Sequence, residues 1–326
     1  MAVTAVVSAV GMAVDGRTVA GAPVWFKPLK FSVSFLAYAL VLAWMLSLQR
    51  RPRRAGRWAG TVVAVTGAVE MAVIVGQAAR GRRSHFNFET PLDQALFSVM
   101  GLTIVVLWSA SLLLALLLLH RGAPGLSAEP AAVSALRSGA FLALAGMALG
   151  FLMLLPTPEQ RAAERPTVRG AHSVGVPDGG PGMPLTGWST TGGDLRVPHF
   201  VGMHALQGLP LFSAGLAAAA ARAPRRSRLR DSAVRLRLVR TAAGTTAALL
   251  ALVTWQALRG QPLLAPDPAT LGALGGILAA SAAVSVASLR LPVRRRSTPR
   301  GDARQQGTRR ENAPLPAESV QQREAV

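Results

Sequence analysis

Apolar runs of about 17–26 residues recur seven times along the chain, separated by polar connectors. They fall at residues 29–48, 58–79, 94–119, 139–155, 198–221, 238–257 and 269–289. A helix rising about 1.5 Å per residue crosses the ~30 Å hydrocarbon core of a bilayer in runs of this length. Hydrocarbon offers no water to backbone N–H and C=O groups, so such runs must be helical there. The pattern predicts an all-α fold, a polytopic transmembrane bundle of seven helices within residues 29–290. Residues 2–14 are apolar but too short to span, and they lack the basic lead-in and small-residue cleavage site of a signal peptide. They read as a truncated eighth helix or a short interfacial segment, followed by an external linker to residue 28.

The connectors alternate in arginine content. Those at 50–57, 121–137 and 222–240, with the tail from 290, hold 24 of the 35 basic residues. The opposite set holds 11 basic and 8 acidic residues. Under the positive-inside rule the arginine-rich set is cytoplasmic, as is the C-terminus, and the long connector 156–197 is external. A structureless loop of that length is usually functional or disordered. Its first half is expected to be mobile and its second half, 187–194, an ordered lid. The polar tail 291–326 is expected to be disordered. Gly272 and Gly276 in the last run have the spacing of close helix packing.

Composition agrees with the pattern. The chain is 51% hydrophobic and 15% charged, where a soluble domain carries about 25% charge. The net charge of +20 is gathered on one face, which points to anionic lipid headgroups. No nucleic-acid partner is expected, because the basic tail has no interleaved aromatic residues. The absence of cysteine excludes disulfides, thiolate metal sites and c-type haem. Lys27 and Lys30 are the only lysines.

Candidate chemistry gathers near the external ends of the runs. Glu70 is the one acid deep inside an apolar run, where a carboxylate is costly and usually faces the bundle interior. Gln77 shares its face, with Arg80 at the external end. Lys30 and Tyr38 lie on one stripe of the first run, with Lys27 just outside. His204 and Gln207 share a face of the fifth run, while His199 lies about 140° round the helix from His204. His85, Asn87, Asp194 and Arg196 occupy the external connectors. The simplest arrangement is a polar funnel descending from the external face to Glu70. Taken singly, each group also reads as structural: a protonated Glu on a neighbouring helix, a hydrogen-bonding His, a snorkelling Lys.

Three clusters of motifs carry a resemblance. They are Lys27-Pro28-Leu29-Lys30-Phe31; Gln77-Ala78-Ala79-Arg80-Gly81 with Ser84-His85-Phe86-Asn87; and Gly187-Trp188-Ser189 with Gly193-Asp194-Leu195-Arg196, His199-Phe200 and His204-Ala205-Leu206-Gln207. Across about residues 15–215 the chain resembles an uncharacterised family of bacterial multi-pass membrane proteins. The resemblance implies a bacterial plasma membrane, a full-length first helix and a shared site for the three clusters, but no activity.

Three functional classes follow. The first is a small-ligand or proton site, opening to the extracytoplasmic face, that serves binding, transport or sensing. The second is a b-type haem or metal redox protein, with His85 and His199 as ligands and His204 as the alternative. The third is a lipid-acting membrane enzyme using Asp194, His199 and His85 as acid–base groups. The G-x-S-x-G, H-E-x-x-H and P-loop signatures are all absent.

Overall fold

The computed structural model of the chain describes residues 1–47, 53–119 and 129–290. The expected tail, 291–326, and parts of the first two arginine-rich connectors lie outside the described residues. Helix α1 (Ala2–Val14) leads through a hairpin, β1 (Thr18–Val19) and β2 (Ala22–Pro23), into α2 (Phe26–Ser47). Then follow α3 (Arg53–Ala79), α4 (Pro91–Leu119) and α5 (Pro130–Leu149). A long connector carries α6 (Pro158–Ala162), β3 (Ser173–Val174) and β4 (Gly193–Asp194). It precedes α7 (Arg196–Arg222), α8 (Ser232–Leu258) and α9 (Pro268–Arg290). Among the described residues, seven helices are long and apolar enough to cross a membrane. Leu40, Leu102 and Leu211 are about two-thirds exposed on their outer faces, which suits acyl chains and not water. The chain is a multi-pass integral membrane protein.

Helices begin up to nine residues before the apolar runs, because capping sets a start and hydropathy does not. Thr90 accepts the Asp93 backbone N–H at 3.1 Å and donates to the Asp93 carboxylate at 2.8 Å, opening α4. Asp231 caps Ala233 N at 2.9 Å, so α8 includes the arginines that precede its apolar run. Pro130 and Pro268 take first-turn positions in α5 and α9.

The most extensive helix contact joins α5 to α7. Gly139 of α5 faces Ala205 and Leu206 of α7, and Gly146 faces Gly202. A Cβ at Gly146 would lie 2.6 Å from Gly202 Cα, so only glycine permits this approach. By contrast, a Cβ at Gly272 or Gly276 of α9 would meet nothing within 4 Å. The expected close packing there is not made within the described chain. α1 lies antiparallel to α2, with Ser32 Oγ donating to Thr4 Oγ1 at 2.9 Å and Gly11 against the Trp25 ring.

The connector between α5 and α7 is bonded along its length. A Thr157/Gln160 capping box starts α6, and Gln160 reaches across to both backbone groups of Gly170 at 2.8 and 3.0 Å. Val168 bridges to Asn87, β3 pairs with β4, and Gly182 bridges to Ser189. Both halves of the connector are thus tied by backbone or side-chain bonds. These pairings join residues distant in sequence, which local pattern does not register.

Replacing Gly202 by Val is expected to lower unfolding stability in detergent by about 2–3 kcal/mol through overpacking. Gly208→Ala, whose Cβ has nothing within 4 Å, should shift it by less than about 0.5 kcal/mol. Equal effects in a denaturation series would contradict the glycine-mediated contact.

Candidate functional site

The ends of α2, α3, α4, α5, α7 and α8 that carry the long connector form one face. The turn between α3 and α4 builds its floor. Buried Asp93 accepts from Gln77 Nε2 at 2.8 Å and from Arg80 at 3.1 Å, while Arg80 also donates to Gln77 Oε1 at 2.5 Å. The Gln77 amide donates further to Arg83 O at 3.2 Å. Asn87 donates to Arg83 O and accepts Glu89 N, both at 3.0 Å. Gln77, Arg80 and Asn87 thus hold the turn in shape, with Asp93 at its centre. Phe86 in this turn adopts φ +59°, an unusual backbone state for a bulky residue. Its ring meets Phe97 at 5.7 Å and His172 at 4.9 Å.

That turn presents His85 to the bundle. Its ring is edged by Phe31 at 5.7 Å, Phe86 at 6.1 Å and Phe97 at 6.2 Å, and its Nδ1 meets Ser84 Oγ at 3.1 Å. His199, at the head of α7, turns Nδ1 to Gly146 O at 2.8 Å. A carbonyl only accepts, so the proton sits on Nδ1 and Nε2 is left as an acceptor. His85 Nε2 and His199 Nε2 have no partner among the described residues. His172, from the long connector, completes the group and was not singled out from the sequence. It sits in a Pro- and Gly-rich stretch with no periodicity, and only the Leu195 N to His172 O bond at 2.9 Å and the adjoining β3–β4 pairing bring it in.

Lys27, half-buried in the first turn of α2, is where these groups meet. Its ammonium lies 5.8 Å from the Phe31 ring centre and has no hydrogen-bond or ion-pair partner among the described residues. It is within electrostatic reach of Lys30, Arg196, His85, His172 and Glu70. Glu70, 4% exposed, accepts from Thr103 Oγ1 at 2.7 Å. Burial, reinforced by the charges of Lys27, His172 and His199, holds the His85 imidazole well below its usual range. Burial also lowers His172, an effect offset only in part by its bond to Asp178. Burial pushes the Asp178 carboxyl up, but the His172 ring and the backbone N–H groups of His172 and Ser173 outweigh it. Asp178 stays well below the ordinary carboxylate range.

The remaining candidates stand apart from this cluster. Asp194 is sealed by Arg196 at 2.5 Å and by Ser189 N at 2.8 Å, and Arg196 also reaches Gly187 O at 2.7 Å. Asp194 thus has its carboxylate bonded to Arg196 and to the connector backbone. Lys30 donates outward to Thr186 O at 3.1 Å and lies over Phe26. His204 donates to Phe200 O of its own helix at 2.9 Å and stacks on that half-exposed ring at 3.9 Å. Gln207, its amide nitrogen turned to the helix, donates to Met203 O and His204 O at 3.2 and 3.3 Å. Tyr38 pairs with Ser111 at 2.6 Å deeper in the bundle. The single funnel thus resolves into a cluster around Lys27, reaching Glu70 below, with separate structural networks beside it. Among the described residues, no three His, Asp or Glu side chains are placed to hold a metal ion.

Because His85 and His172 resist protonation when folded, the unfolded chain binds more protons below its ordinary histidine range, about pH 6.5. Stability is therefore complete above about pH 7.5 and falls on acidification toward about pH 5. The loss is up to about 1.4 kcal/mol per pH unit for each histidine. Asp178 adds its own loss only below about pH 4, as pH falls toward its depressed folded value. A denaturation midpoint that stays flat from about pH 7.5 to about pH 5 would overturn this assignment. No family model, curated protein or solved structure matches the chain.

Proposed function

We propose that this membrane protein binds a small anionic ligand, a carboxylate or a phosphate, beneath the long connector, with Lys27 as the cation that holds it. One observation carries the reading: Lys27 is half-buried and lacks an acceptor among the described residues, with the cationic Lys30 within electrostatic reach and the nearby Arg196 already paired to Asp194. Glu70 is the carboxylate that opposes Lys27. A desolvated ammonium without a partner is costly, and a bound anion removes that cost through a charge-assisted hydrogen bond. Glu70 beneath would then take up or release a proton as the anion arrives, which suits transport or sensing. The positive-inside rule supports an extracytoplasmic opening, a cytoplasmic C-terminus and anionic lipid at the arginine-rich face. Composition and the motif resemblance support a bacterial plasma membrane.

Titration calorimetry of the detergent-purified chain with mono- and dicarboxylates and inorganic phosphate tests this. Lys27→Gln is expected to weaken binding by about 10–100-fold, with Lys27→Arg retaining most of it. Glu70→Gln, which removes the opposing charge, should strengthen binding. A Lys27→Gln variant that binds as the parent does sinks the proposal.

A second reading rests on the imidazoles. His85 and His199 both keep Nε2 free, the arrangement of axial haem ligands held through their other nitrogen. The three phenyl rings packed against His85 would have to open to admit a macrocycle. A Soret band lost in His85→Ala and His199→Ala would establish it, and a colourless preparation from haem-replete cells would remove it.

A further inference from the structure

At the opposite end of the bundle from the Lys27 cluster, the start of α3 carries a recess unrelated to that site. Arg54, Arg57, Trp58 and Thr61 line an open hollow of about 260 Å³. Their spacing of three, four and seven residues places them on one helical face, and all four are exposed. Neither arginine has an ion-pair or hydrogen-bond partner among the described residues. The same outward stripe continues into Val65, Ala68 and Ala72, which are also exposed. Along one line, then, α3 presents two guanidinium groups, an indole, a hydroxyl and finally only aliphatic surface.

That order matches the profile of a phospholipid from phosphate through glycerol to acyl chain. The helix spans 26 residues from Arg54 to Ala79, or about 39 Å. This exceeds the ~30 Å hydrocarbon core, so its first turns project into the headgroup layer. Guanidinium forks bind phosphate oxygens in pairs, and an exposed tryptophan at this depth is a common interfacial anchor.

We infer that Arg54, Arg57, Trp58 and Thr61 form a binding site for the phosphate headgroup of an anionic glycerophospholipid. The arginines hold the phosphate, Thr61 hydrogen-bonds the headgroup or glycerol, and the Trp58 ring covers the glycerol backbone. The acyl chain runs along Val65, Ala68 and Ala72, whose small side chains leave a shallow track for it. Free phosphate shares the headgroup chemistry but makes no use of the aliphatic stripe.

The test uses the full chain in phosphatidylcholine vesicles with spin-labelled phosphatidylglycerol or phosphatidylcholine as probe. The parent protein is expected to immobilise the anionic probe preferentially. Each arginine bonded to the phosphate contributes about fivefold in affinity, so R54Q/R57Q should reduce anionic-probe affinity about 25-fold. R54K/R57K keeps the charge but not the guanidinium fork, and the intermediate preference expected of it separates loss of the site from loss of the fold. R225Q/R226Q, two arginines of the α7–α8 connector on the same side, should leave the preference unchanged. An equal loss in R225Q/R226Q overturns the proposal in favour of diffuse surface charge. Displacement of the lipid probe by inorganic phosphate overturns it in favour of a free-phosphate site. An unaltered preference in R54Q/R57Q overturns it outright.

Discussion

The approach of α5 to α7 at Gly146 and Gly202 leaves no space for a side chain on either helix, and the site depends on it. The contact brings a backbone carbonyl, Gly146 O, within 2.8 Å of the His199 ring. Helical carbonyls are ordinarily hidden by the side chains that flank them, and the glycines uncover this one. The bond sets the imidazole tautomer and hence which nitrogen faces a ligand. In lipid, helices gain little from hydrophobic association, so close van der Waals packing between small residues does most of the positioning. A glycine pair thereby reaches from packing to the chemistry of a histidine.

The connector-bearing face divides its charges into those that are spent and those that are free. Asp93 with Gln77 and Arg80, Asp194 with Arg196 and Ser189 N, and Asp178 with His172 are closed networks in which each carboxylate has several donors. Such networks specify the shape of a loop, because each partner left alone would be a buried polar group without a bond. Lys27 is different: among the described residues its amine has no hydrogen-bond or ion-pair partner, and Glu70 acts on it only at a distance. The acids of the framework are committed elsewhere.

Much of this could be read along the chain. Hydropathy located every long helix, since a run of about 20 apolar residues has few other uses. It missed where the helices begin at Pro91, Pro130 and Ser232, because capping residues and first-turn prolines are polar or neutral and fall outside an apolar window. Glu70 and Lys27 stood out as costly or scarce residues. His172 did not, for the β3–β4 pairing that brings it in joins segments about twenty residues apart. His204 and Gln207 were expected beside the site through helical spacing. Spacing tells which residues share a face, but not which face turns inward.

The sequence by itself determined the class of protein, the number of long apolar helices and the uneven division of arginines between the two ends. Each of these is a property of local composition, governed by the cost of placing charge or bare backbone in hydrocarbon. The tertiary structure alone decided which polar groups are spent on one another and which remain available. Arg80 and Arg196 looked as suited to an anion as Lys27, and only the Asp93 and Asp194 contacts show that they are already occupied. A charge becomes a site or a strut according to what packs against it. That depends on helix rotation and loop closure, which arise from contacts distant in the chain.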